Sequence, residues 1–188
     1  MARPRSDDKR SAILLAAIRV IADQGLGAAT ATIAKEAGVS NGSLFTYFAT
    51  KADLLNQLYI NLKVEMAAAA QSGLPAESDL REQALSMWRH WLHWATSNPE
   101  KRRTLAQLNV SDNITLESHQ IASEKMAGIR KLLERSRENG PMRDTPLAFT
   151  VALMSAMADA TIDYMLSDPA NADKHCLVAF EAFWRAIA

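Results

Sequence analysis

Residues 39–51 read VSNGSLFTYFATK. The stretch opens on small polar residues, carries three aromatics in its second half, and has no Lys or Arg before Lys51. Leu44 and Phe48 stand four apart, the spacing of one helix face. The rest offers hydroxyls, one amide and a glycine. This is neither a clean core stripe nor a charged surface, and it needs a surface other than water to meet.

The segments on either side say what it packs on. Upstream, a very short helix is expected from Thr30–Thr32, where a hydroxyl caps it, through Ile33, Ala34 and Ala37 to Gly38. Glycine enters the left-handed backbone of such a turn without steric cost. Two helices this short are not stable alone. They must pack, through Ile33, Val39, Leu44 and Phe48, on a longer first helix expected over about Ser6–Gln24. Ile13, Leu14, Ala17, Ile18 and Ile21 recur there at helical spacing, and Gly25 and Gly27 end it. Downstream, a helix starts near Thr50 with Asp53 in its first turn, and Leu54, Leu55, Leu58, Tyr59 and Leu62 make its apolar side.

Two short helices joined by a glycine-containing turn on a longer helix form a helix-turn-helix. The second short helix of such a motif meets the major groove by its N-terminal end. Here that end is Ser40, Asn41, Gly42 and Ser43. Gly42 puts no side chain in the way, the first-turn N–H groups suit phosphate, and the polar side chains suit base edges.

These residues resemble a known family. The run ATIAKEAGVSNGSLFTYFATKADLL, residues 31–55, is similar to the helix-turn-helix of TetR/AcrR-type transcriptional regulators, and the likeness spans about Ile13–Leu58. The matching pieces are Ile-Ala-x-x-Ala-Gly-Val-Ser, Leu-Phe-x-Tyr-Phe, and Lys51 followed by Asp53-Leu54-Leu55. The resemblance implies that Thr30 and Thr32 touch phosphate and that Asn41, Ser43 and Thr46 face base edges. It gives the Tyr47 hydroxyl and Lys51 to phosphate. Phe45 stands where the family usually has Tyr, so no polar contact is expected of it. Within the family, MARPRS at the start and AFEAFWRAI at the end look most like the RamR type of efflux regulator.

Charge is arranged to match. The chain has 188 residues and formal net charge zero, yet residues 1–63 carry net +3 and residues 64–188 net −3. That sign suits an N-terminal part that meets an anion. Arg3 and Arg5, flanking Pro4, are candidates for a basic arm reaching the minor groove. Their bland alternative is a solvated tail.

The remainder reads as helix throughout. Apolar residues make 48% of the chain and glycine and proline are few, so a packed all-α fold of about nine helices is expected. The division expected is a DNA-binding part over 1–50 and a ligand-binding and dimerisation part over 51–188, with helix 51–70 connecting them. AAAAQSGLPAES, residues 67–78, is the most linker-like segment. Asn98-Pro99, Thr145-Pro146 and Asp168-Pro169 each suggest a capping residue before a proline at the first helical position. No apolar run is long enough for a membrane span, and the N-terminus has no signal-peptide core, so a cytoplasmic protein is expected. The single Cys176 excludes an intrachain disulfide.

The helix from about Asp79 to Ser97 contains Trp88, Trp91 and Trp94 within about 120° of one side. Core packing is the ordinary reading of such a stripe. A ligand cavity lined by Tyr59, Trp88, Trp91, Trp94, Met154, Met157 and Asp163 is the functional one, and it suits an aromatic or cationic molecule. The last two helices, expected over Pro146–Leu166 and Pro169–Ile187, are apolar on more than one face. Ala152, Ala156, Phe180, Phe183 and Trp184 are therefore candidates for a homodimer interface, which the family resemblance also implies. His90 and His93, and the neighbouring His175 and Cys176, lack a third ligand at a recognisable spacing, so neither metal nor cofactor is expected. No catalytic motif is present. The reading is a ligand-responsive, homodimeric DNA-binding repressor. Its alternatives are a helical small-molecule-binding module without DNA contact, and a helical-bundle enzyme.

Overall fold

Ten α-helices and no strand make up the described residues of the computed structural model, which are 3–73 and 79–188, with side chains from Asp7 onward. The helices are α1 Arg3–Gln24, α2 Thr30–Glu36, α3 Asn41–Tyr47, α4 Lys51–Gln71, α5 Leu80–Ser97, α6 Pro99–Asn109, α7 Leu116–Lys125, α8 Ala127–Arg137, α9 Leu147–Ser167 and α10 Ala172–Ile187. The chain breaks at Met126 between α7 and α8, and the count is one more than the nine or so expected. Part of the linker-like segment continues α4 as far as Gln71, and residues 74–78 of it lie outside the described residues.

The chain divides into two compact units. The first runs to Val64 and takes in Asn98–Glu124, and the second is Glu65–Ser97 with Lys125–Ala188. The grouping therefore falls later than residue 50, because α6 and most of α7 pack with the N-terminal helices rather than with α5.

In the first unit, Ile13, Ala17, Ile21, Ile33, Leu44, Phe48, Leu54 and Leu58 are all buried and form one core. The turn from α2 to α3 is a Schellman motif: the Val39 N–H bonds the Ala34 carbonyl at 2.9 Å and the Gly38 N–H bonds the Lys35 carbonyl at 3.1 Å. It needs a left-handed residue, and Gly38 supplies it at φ +69°. Buried Thr104 on α6 donates its hydroxyl to the Ile18 carbonyl at 3.0 Å, which holds α6 to α1.

In the second unit, α9 and α10 pack side by side, with α5 against both and α8 against α5. Trp88, Leu92, Leu132, Leu133, Met154, Ala158, Ile162, Phe180 and Ile187 are buried there. The proline devices hold in part. Pro99 is the first residue of α6 and Pro169 opens a short 3-10 turn, but neither Asn98 nor Asp168 makes a side-chain capping bond. Pro146 sits one position earlier than expected, as the residue before α9. Thr145 turns its hydroxyl to the Met142 carbonyl instead, at 2.8 Å.

Candidate nucleic-acid interface and effector cavity

Helix α3 owes its position to two side chains and one cap. Leu44 and Phe48 are fully buried and tie it to the core of the first unit. The Ser40 hydroxyl accepts the Ser43 N–H at 3.1 Å, so Ser40 closes the first turn of α3 as its cap. Asn41, Gly42 and Thr46 are exposed, and Ser43 is half-buried. Thr46 also donates its hydroxyl to the Gly42 carbonyl at 3.3 Å, which leaves its oxygen lone pairs and methyl facing out.

The start of α4 is built as firmly. Thr50 accepts the Asp53 N–H at 3.0 Å, and the Asp53 carboxylate accepts the Ala49 N–H at 3.1 Å. This reciprocal cap makes Lys51 the first residue of α4, and only Phe48, Ala49 and Thr50 separate it from the half-buried Tyr47 that ends α3. Thr30 is the first residue of α2, but the residue in the capping position is Ala29 and makes no side-chain bond, so the expected hydroxyl cap is absent. Thr30 and Thr32 are both half-buried.

Arg10 belongs to the scaffold. Its guanidinium lies 5.3 Å from the centroid of the Phe48 ring and bonds Gln57. Gln57 in turn donates to Asp53 at 3.1 Å. A chain of contacts therefore runs from α1 to the cap that positions Lys51, and sequence spacing gave no sign of it. The backbone of Arg3 and Arg5 belongs to α1, which starts earlier than expected, while their side chains lie outside the described residues.

Tyr59 faces the interior of the first unit. Its hydroxyl shares a hydrogen bond with Nδ1 of His119 at 3.0 Å, and burial raises its pKa above the ordinary value. It takes no part in the cavity of the second unit. Asn56, one turn earlier on α4, donates to the Asn113 carbonyl at 2.8 Å and accepts the Thr115 N–H at 2.9 Å.

One cavity lined by described residues of the second unit is small, about 10 Å³. That is room for about one water. Trp88 and Met154 line it, with Met87, Ser136, Phe183 and Trp184 among their neighbours. Trp91, Trp94, Met157 and Asp163 do not line this cavity. Trp94 is buried with its indole N–H on the Glu65 carboxylate at 3.1 Å, so its ring is core. Trp91 meets Trp88 edge-on, with centroids 6.0 Å apart, and is half-exposed. Met157 is half-exposed and Asp163 is exposed on the outer side of α9. Among the described residues, no carboxylate lines this cavity.

The dimer candidates divide as well. Phe180 and Phe183 are buried in their own chain, Phe183 stacked on Trp88, so their area is not available to a partner. Trp184 is half-exposed and stacks on Phe180. Ala152 and Ala156 are exposed on α9. They share that side with Phe149, Leu153, Ala160 and Tyr164, and Val178 is exposed on α10. Phe149, Leu153, Ala156, Ala160 and Tyr164 recur at spacings of four, three, four and four, so they share one side of the helix.

His90 bonds the Ser86 carbonyl of its own helix at 2.8 Å, and His93 is exposed. Among the described residues, no group of three or more His, Cys, Asp or Glu is placed to hold a metal.

A helix-turn-helix with an exposed polar first turn, capped and pinned in this way, defines a DNA-binding regulator. The profile described as "Bacterial regulatory proteins, tetR family" matches residues 13–58. A tetR family transcription regulator from Shewanella sp. PV-4 is 30% identical over 96% of this chain and 98% of its own, with a TM-score of 0.85. A TetR family regulator from Marinobacter aquaeolei VT8 is 26% identical over 99% and 98%, with a TM-score of 0.88. The transcriptional regulator FadR from Bacillus subtilis, solved in complex with stearoyl-CoA, shares the fold at 17% identity over 95% and 99%, with a TM-score of 0.71. The chain belongs to the TetR family of transcription regulators.

Proposed function

We propose that the chain acts as a homodimeric repressor on a near-palindromic operator, and that a small apolar molecule entering its C-terminal unit releases it. The observation that carries the DNA part is α3: buried Leu44 and Phe48 hold it, the Ser40 cap starts it, and Asn41, Gly42 and Thr46 are left exposed. Base preference comes from Asn41, Ser43 and Thr46. Phosphate affinity comes from Thr30, Thr32, Tyr47 and Lys51, and from Arg3 and Arg5. Two copies of α3 then dock in successive major grooves, about 34–36 Å apart or somewhat more.

Dimerisation through α9 and α10 is supported by the exposed Phe149, Leu153, Ala156, Ala160 and Val178. Two copies of that face make an isologous four-helix contact. The ligand reading is supported by the apolar cavity, whose lining favours an aromatic over a cationic molecule. At about 10 Å³ it must open to admit one, and Met87 and Met154 are the flexible side chains that let it. A ligand that binds one dimer geometry better than the other shifts the heads away from operator spacing. The likeness of the chain ends to RamR-type regulators supports a role in efflux control, and work on chromosomal DNA places the protein in the cytoplasm.

The test is a gel shift with the DNA upstream of its own gene at two salt concentrations. A sequence-preferring shift that weakens with salt supports the proposal, and none refutes it. Tryptophan fluorescence across dyes, bile acids and quaternary amines tests the ligand part. Quenching by apolar aromatics supports it, and no quenching by any of them counts against it.

A further inference from the structure

Phe45 is left without a task by the packing of α3. Successive helical residues turn about 100°. With Leu44 pointing into the core, Gly42 and Thr46 point outward, Ser43 lies on one flank and Phe45 on the other. Ser43 is half-buried, whereas Phe45 is 41% exposed. Gly42, three residues before it, has no side chain to lie over the ring. A Cβ added at Gly42 would meet nothing within 4 Å. A bare phenyl ring therefore stands beside the face that carries Asn41 and Thr46.

A phenyl ring has no donor or acceptor, so it pairs with neither phosphate nor the polar atoms of a base edge. The major-groove edges of the four bases show ring nitrogens, carbonyls, amino groups and one apolar group, the 5-methyl of thymine. We infer that Phe45 is a specificity-determining residue that selects thymine at one position of each half-site by packing its ring on that methyl. The inference rests on the DNA-binding role proposed above. Burying one methyl is worth about four-fold in affinity, and about fifteen-fold when both half-sites of a dimer contribute.

The test starts from binding sites enriched by the wild-type protein from a random duplex pool. Each thymine is then replaced in both half-sites by deoxyuridine, which pairs alike and lacks only the methyl. The expected result is one symmetric position where the loss is about ten- to fifteen-fold, with the other positions nearly silent. Phe45→Ala should bind thymine and deoxyuridine duplexes within about two-fold of each other, and Phe45→Leu should keep part of the difference. The uridine series on the wild-type protein decides the matter even if a variant folds poorly. No thymine whose methyl matters, or a Phe45→Ala protein as methyl-sensitive as the wild type, overturns the inference alone. Failure to enrich any sequence overturns the DNA-binding role and the inference with it.

Discussion

The indole N–H of Trp88 donates to the backbone carbonyl of Cys176 at 3.1 Å, joining α5 to α10 inside the C-terminal unit. The same ring lies nearly parallel to Phe183, with centroids 6.1 Å apart. Trp88→Phe keeps most of the apolar contact and removes the donor. The Cys176 carbonyl lies within α10, so the cost falls near the low end for a buried hydrogen bond, about 1–2 kcal/mol. Trp88→Ala also opens a void and should cost about 3–5 kcal/mol. Urea unfolding measures both, and an unchanged midpoint for either contradicts this packing.

The cavity next to Trp88 gives a second expectation. Met154 is buried and lines it, so Met154→Ala enlarges it at a cost of about 2–5 kcal/mol. An enlarged apolar void should bind small aromatics more tightly while the protein becomes less stable. Fluorescence titration alongside urea unfolding reads both effects. Lower stability with no gain in aromatic binding would argue that ligands enter elsewhere.

The proposed dimer interface on the outer side of α9 gives a third expectation. Ala156→Arg changes an exposed residue, so the protomer should still fold. In sedimentation at micromolar concentration the variant should run as a monomer, and its operator affinity should fall by at least ten-fold because only one head is engaged at a time. A dimer that survives the substitution places the interface on another face.

Cys176 gives the chain a pH dependence. Burial raises its thiol pKa in the folded protein, with a smaller contribution from Asp173, so the folded state holds the proton more tightly than the unfolded chain. The associated stability is fully present below the unfolded value and is lost as pH rises through the folded one. Wild-type stability should therefore decline above about pH 8.5 more steeply than that of Cys176→Ala. Parallel slopes in urea unfolding between neutral and alkaline pH would contradict this.

The helix-turn-helix was legible because its requirements are local. Gly38 must be glycine for the Schellman turn, and Leu44 and Phe48 must share a face within seven residues. The C-terminal unit was not legible to the same depth. Helix α9 is apolar nearly all round, so periodicity could not say which side meets α10 and which is left open. Phe180 and Phe183 looked as available as Phe149 and Tyr164, and only the packing of α5 against α10 buries the first pair. The partners of the tryptophan stripe were hidden for a related reason. Trp94 reaches Glu65 on α4, a partner 29 residues away that no pattern within α5 reveals. The contacts of Arg10 with Phe48 and Gln57 are likewise distant in sequence, so no local pattern reveals them.

In the proposed complex, α3 and the start of α4 carry operator recognition, with Lys51 on phosphate. Its most direct test is a salt titration of operator binding by the wild type and Lys51→Ala on one duplex. Log affinity should fall linearly with log salt, and the variant should bind all sequences more weakly. Its slope should be shallower by about one unit per protomer. A Lys51→Ala protein with wild-type affinity and an unchanged slope would contradict it.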